Sequence, residues 1–257
     1  MPQEDICSNI SEEVSFTSDD FVLKGTLRLP ADTPEPPVVI GAHGLFSNRN
    51  SPKQVALAEA CCAHGIAYFR FDHRGCGESE GDFREVTSLG GRCNDLISAA
   101  NAIRQRADVG KRLGLFGSSL GGTVCLLTGA SLKADALVTF ATPLRGEPIL
   151  RAMEEAGENE PHADEDPGRS VNPDVLRFDV TGDIKSLRNI LIFHGDSDKV
   201  VSPSEAHRIY QRAESPKRLI MFRDGDHRMT LKENQDKFIR EALVWYKAGL
   251  KYSPAGS

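Results

Sequence analysis

Apolar residues in this chain gather into short runs separated by longer stretches of helical period. Val38-Val39-Ile40-Gly41-Ala42, residues 66–71, 113–116, 136–140, 190–193 and 219–222 are the runs, interrupted only by Arg70 and Thr139, and all but the last have Gly, Pro, Asp or Asn on at least one side. Continuous apolar runs of this length fit strands buried on both faces, as in a parallel sheet. Ahead of them, residues 13–17 and 22–29 flank Asp19-Asp20 and predict a hairpin at the sheet edge. Ser51-Pro52-Lys53-Gln54 carries a capping-box pattern with proline at the first turn, and Gly65 stops the helix that follows. Ser202-Pro203-Ser204-Glu205 repeats that start signal. Further helices are predicted around residues 92–106, directly after Ser119, and over about 233–248, where Phe238, Ala242, Trp245 and Tyr246 share one face. Strands alternating with helices imply an α/β fold, a mostly parallel eight-stranded sheet with helices on both faces.

One segment breaks the rhythm. Residues from about 144 to 183 are rich in Glu, Asp, Pro and Gly, with a modest apolar face at Ile149, Leu150 and Met153. That is too little apolar surface for a second core, so it reads as a small cap insertion in a single domain spanning 1–257. The bland alternative is a surface excursion remote from any site.

Charge and cysteines narrow the setting. Asp and Glu number 37 against 31 Lys and Arg, and no basic cluster forms, which argues against nucleic acid as a partner. The six cysteines form no C-x-x-C pair and no zinc spacing, so neither a disulfide framework nor a metal site is expected. Met1-Pro2-Gln3-Glu4-Asp5 lacks the basic and apolar regions of a signal peptide, and no apolar run approaches membrane-spanning length. The expectation is a cytoplasmic protein with no membrane partner.

The candidate chemistry centres on Gly117-Ser118-Ser119-Leu120-Gly121, a G-x-S-x-G pentapeptide between a buried strand and a helix start. Alone, the pentapeptide could be a glycine-rich turn that happens to hold serine. Between strand and helix it predicts a nucleophile elbow, with Ser119 in a strained conformation and the Leu120 N–H free to face an oxyanion. A serine nucleophile needs a histidine base and a carboxylate to orient that base. Two late loops offer them, His194-Gly195-Asp196-Ser197-Asp198 and Asp224-Gly225-Asp226-His227. Of the seven histidines, His227 follows the last strand as the base should, whereas His43 and His194 precede glycine at strand ends, where a structural hydrogen bond is expected. Gly44-Leu45, after the first central strand, offers a second oxyanion donor in the Leu45 N–H. Asp72 and Arg74 are expected to brace loops.

From about Phe16 to Leu250 the chain resembles the α/β-hydrolase superfamily. The resemblance is carried by His43-Gly44, Asp72-x-Arg74-Gly75-x-Gly77-x-Ser79, Gly117-x-Ser119-x-Gly121-Gly122, His194-Gly195-x-x-Asp198-x-x-Val201 and Gly225-x-His227. Within it the chain is most similar to the cinnamoyl/feruloyl esterase and serine-aminopeptidase-like group. The resemblance implies a cofactor-independent serine esterase with Ser119, Asp198 and His227 as triad and Leu45 and Leu120 as oxyanion donors. The implied substrate is a small carboxylic ester. A thioesterase, short peptidase or perhydrolase would use the same triad, and a non-catalytic binding protein on this fold is a remote alternative. Asp198 is preferred to Asp196 because the latter directly follows Gly195 and suits a turn-forming carboxylate.

Overall fold

The computed structural model describes residues 10–156, 172–184 and 187–250, the side chains of 152–156 excepted. In chain order the elements are β1 (Ile10–Ser18), β2 (Phe21–Leu29), β3 (Val38–Ala42), α1 (Pro52–Cys62), β4 (Ala67–Phe71), α2 (Phe83–Val86), α3 (Leu89–Arg104), β5 (Leu113–Ser118), α4 (Leu120–Thr128), β6 (Ala136–Phe140), α5 (Glu147–Ala156), β7 (Ile190–Gly195), α6 (Ser204–Arg212), β8 (Lys217–Phe222) and α7 (Lys232–Leu250). The strands form one eight-stranded sheet in the order β1-β2-β4-β3-β5-β6-β7-β8. β1 and β2 make the antiparallel hairpin around Asp19-Asp20, and β2 runs antiparallel to β4. Every pairing from β4 through β8 is parallel.

Period-two alternation distributes the apolar runs over both faces of the sheet. Ile40, Leu115, Leu137 and Ile192 pack with Leu96 and Ile103 of α3, Val124 of α4 and Ile209 of α6. Their neighbours Val39, Phe116, Val138 and Phe193 turn the other way, onto Leu57 of α1 and Phe238, Ala242 and Tyr246 of α7. The Tyr246 hydroxyl, fully buried, donates to the Leu115 carbonyl at 2.8 Å, so the polar tip is satisfied inside the core.

Both serine start signals work differently from the capping box their spacing predicts. Ser51 is the N-cap of α1 and Pro52 its first residue, yet Ser51 makes no side-chain cap bond. Gln54 instead lies fully buried beneath the sheet, accepting from the Tyr68 hydroxyl at 3.3 Å. At α6, Glu205 turns away from the helix start. It is buried and accepts from the Leu144 N–H at 3.0 Å and the Arg145 guanidinium at 2.8 Å, fixing the chain where it leaves β6. A buried carboxylate with charged and amide donors is worth more there than at a solvated cap.

Between β6 and β7 lie α5, a 3₁₀ turn over Pro173–Leu176, and an antiparallel bridge between Arg145 and Asp179. Residues 157–171 of this segment, including His162 and Val171, lie outside the described residues, as do the first nine residues with Cys7. Among the described residues no helix is long and apolar enough to cross a membrane.

Candidate active site

The loops beyond the carboxyl ends of β3, β5, β7 and β8 meet at Ser119. The serine sits between β5 and α4 with φ 53° and ψ −127°, a left-handed conformation that a residue with a Cβ avoids. Strain of that kind is worth roughly 1–3 kcal/mol and persists only where packing over-determines it. The packing here is backbone against backbone. A Cβ on Gly117 would lie 2.4 Å from the Gly121 carbonyl oxygen, and one on Gly121 would lie 2.2 Å from that of Ala42. Only glycine fits where strand and helix cross so closely. The Ser119 N–H donates to Phe140 O at 2.9 Å, tying the elbow to β6. Leu120 is the first residue of α4, so its N–H has no acceptor one turn back in its own helix. Gly44 is adjacent, since a methyl group on it would sit 3.5 Å from Ser119 Cβ. The Leu45 amide therefore leaves the loop beside the serine.

His227 follows β8 and is partly exposed. Its Nε2 lies 3.2 Å from Ser119 Oγ and its Nδ1 2.8 Å from Asp198 Oδ2. A carboxylate only accepts, so Nδ1 carries the proton and Nε2 is left as an acceptor toward the serine hydroxyl. Asp198 is buried after β7, and burial pushes its carboxyl upward. Hydrogen bonds from His194 and His227 outweigh that and hold it well below the usual carboxylate range. Its second oxygen accepts the Val200 and Val201 amides, each at 2.9 Å. Asp198 is thus itself the turn-forming carboxylate. The exposed Asp196 accepts only from the Ser197 hydroxyl, at 3.0 Å, among the described side-chain bonds. The turn role assigned to Asp196 from its place after Gly195 therefore belongs to Asp198.

The other histidines have identifiable partners. His194 Nε2 lies 2.9 Å from the Val201 carbonyl and 3.3 Å from Asp198 Oδ2, a second contact to that carboxylate. His43 accepts from the His73 N–H at 3.1 Å, and His73 faces Asp95 at 3.2 Å. Asp72 takes the Arg49 amide at 2.7 Å and the Glu78 amide at 3.1 Å, and Arg74 bonds Asp95 and Asp19, so both residues brace loops.

A separate apolar cluster lies beside the serine. Leu45, Cys76, Phe83 and Leu120 pack with Val175 and Leu176, and Phe46, Ile149, Leu150 and Phe178 lie against them half-buried. The segment after β6 thus shares a cluster with the residues flanking Ser119. Met153, the expected third member of the α5 face, falls among the side chains that are not described. Among the described residues no group of His, Cys, Asp and Glu is arranged to hold a metal ion.

Sheet order and a strained serine between β5 and α4 define an α/β hydrolase, and the chain belongs to that superfamily, among its serine hydrolases. Residues 34–158 match the family described as serine aminopeptidase, S33. The uncharacterised protein YfhR of Salmonella typhi is 30% identical over 241 residues, covering 91% of this chain and 80% of that protein. The mitochondrial palmitoyl-protein thioesterase ABHD10 of Mus musculus is 29% identical over 231 residues, covering 81% of this chain and 73% of its own length. Among solved structures, the ferulic acid complex of Est1E from Butyrivibrio proteoclasticus superposes with a TM-score of 0.77. It is 19% identical, covering 93% of this chain and all of that one, and the likeness is one of fold.

Proposed function

We propose that the protein hydrolyses small carboxylic esters through an acyl-enzyme on Ser119, with His227 as proton shuttle and Asp198 as its orienting carboxylate. The observation that carries the reading is the hydrogen-bonded file from Ser119 Oγ to His227 Nε2 at 3.2 Å and from His227 Nδ1 to Asp198 at 2.8 Å. His227 takes the serine proton as Oγ attacks the ester carbonyl, and the imidazolium that forms is stabilised by Asp198. The Leu45 and Leu120 amides meet the oxyanion, each worth about 3 kcal/mol in the transition state. The tetrahedral intermediate collapses with expulsion of the alcohol, which receives the proton from His227. Water, deprotonated by the same histidine, then releases the acid and restores Ser119.

In this reading residues 144–183 are a cap insertion in a single domain, and its described residues Ile149, Leu150 and Val175, which share an apolar cluster with Leu45, are the candidate acyl-side contacts. The five described cysteines are free, which fits the reducing cytoplasm. Relatedness to a protein named palmitoyl-protein thioesterase favours a second substrate class, thioesters, which the same residues would attack in the same way.

Turnover of p-nitrophenyl acetate beside that of a matched acyl thioester tests the reading and separates the two classes. Ser119→Ala should lower kcat by roughly 10⁴–10⁶-fold, and a fluorophosphonate should form its adduct on the peptide at Ser119. An adduct on Ser118, or a fully active Ser119→Ala, would overturn the assignment.

A further inference from the structure

The proposed reaction leaves one buried cation without a role. Arg92 lies in the first turn of α3, on the same stripe as Leu89, Leu96, Ala99 and Ile103, and none of its surface reaches solvent. A guanidinium held in an interior is costly unless its donors are met in good geometry. Here the two terminal nitrogens are met chiefly by a single loop. One nitrogen, Nη1, donates to the Gly44 carbonyl at 3.1 Å and the His43 carbonyl at 3.4 Å. The other, Nη2, donates to the Leu45 carbonyl at 2.8 Å and faces Cys76 Sγ at 3.4 Å. Three successive carbonyls after β3 therefore turn toward one charge. The Gly44 oxygen also accepts from the Ser47 N–H at 3.3 Å and from His43 Nδ1 at 2.7 Å.

Peptide geometry converts this into a statement about an amide. Across a trans peptide the C=O and the following N–H point in opposite directions. A Gly44 carbonyl aimed at Arg92 aims the N–H of the same peptide, that of Leu45, away from Arg92, and Gly44 is the residue that lies against Ser119. We propose that Arg92 is a positioning residue whose guanidinium fixes the Gly44–Leu45 peptide so that the Leu45 N–H faces the oxyanion formed on Ser119. The inference rests on the reading of Ser119 as the nucleophile of a hydrolase. Without the guanidinium only the Ser47 and His43 donors still hold the Gly44 oxygen, and rotation of the weakened peptide removes one oxyanion donor and turns a carbonyl oxygen toward the developing negative charge. Lysine would keep the charge but not the planar fork that spans the Gly44 and Leu45 oxygens together.

The test compares wild type, Ser119→Ala, Arg92→Lys and Arg92→Gln by p-nitrophenyl acetate kinetics, thermal melting and inhibition by an alkyl boronic acid. The boronate adds to a serine hydroxyl as a tetrahedral anion and so reports on the oxyanion donors separately from substrate binding. Arg92→Gln should lower kcat about 10²-fold, the scale of one lost donor, with KM within about threefold. Boronate affinity should fall by a similar factor, and Arg92→Lys should lose less of both. A folded Arg92→Gln that keeps kcat, or that loses activity with boronate affinity unchanged, overturns the role of Arg92 and leaves Ser119 as nucleophile intact. Failure of both Arg92 variants to fold would make Arg92 a folding residue and likewise overturn it. A wild type without turnover, or an active Ser119→Ala, removes the hydrolase reading and the inference with it.

Discussion

Asp198 makes four hydrogen-bonded contacts at once, two from turn amides and two from histidines. That saturation keeps the carboxylate ionised and stationary, which an orienting residue requires. Asp198→Asn should therefore lower kcat by roughly 10³–10⁴-fold, because an amide nitrogen at that position favours the wrong tautomer of His227. Asp196→Asn, on an exposed side chain, should stay within about threefold of wild type. Steady-state kinetics on both folded variants checks this, and a larger loss for Asp196→Asn would reverse the assignment. At this scale the sequence was legible where a residue's role is set by its immediate neighbours. Ser119 is strained because glycines flank it at fixed spacing. The two aspartates were ranked on a ground that the structure overturns, since Asp198 itself closes the turn after Gly195. What separates them is the position of His227, 29 residues away from Asp198.

At the level of elements, the segment after β6 is held at its root by Glu205, and α5 and the 3₁₀ turn share an apolar cluster with Leu45 and Leu120. If it shapes the cleft, Ile149→Ala and Leu150→Ala should each change the kcat/KM ratio between long and short acyl esters by roughly tenfold. An unchanged ratio in both folded variants would remove the segment from substrate selection. Glu205→Gln should lower stability by about 1–3 kcal/mol in urea unfolding, since a buried charged partner of Arg145 and Leu144 is lost. Glu205 and Arg92 were misread or passed over because charged residues on helices are normally solvated. The signal was present in the spacing. Arg92 falls on the apolar stripe between Leu89 and Leu96, and Glu205 one turn before Ile209 on the buried side of α6. A charge on an apolar stripe points inward, but its partner comes from a loop distant in sequence, which periodicity cannot name.

For the molecule as a whole, a buried network joins the hairpin, β4 and α3. Arg74 bonds both Asp19 and Asp95, and Asp95 also faces His73. Burial pushes the His73 imidazole down to about 4, with the Asp95 hydrogen bond opposing the shift. Between its ordinary value near 6.5 and 4, the unfolded chain takes up a proton that the folded one refuses, so stability falls as pH falls through that window. Asp95 is also buried, yet hydrogen bonds from His73 and Arg74 hold its carboxyl low, so a further loss follows below about pH 4. Urea midpoints measured from pH 7 to 4.5 should decline, and His73→Gln should flatten that decline. A wild-type profile flat over this range would contradict it. The sheet itself was the most legible part of the structure, because six short, largely apolar runs leave few arrangements besides a parallel sheet covered on both faces. The strand order adds a consequence in time. Ser119 directly follows β5, which pairs inside the sheet with β3 made before it and β6 made next, whereas His227 follows β8, the last strand in chain order and at the sheet's edge. Synthesis delivers the elbow well before the histidine proposed to deprotonate it. Under the proposed chemistry, a nascent chain carries an inert serine, and hydrolytic competence switches on only when the final strand docks.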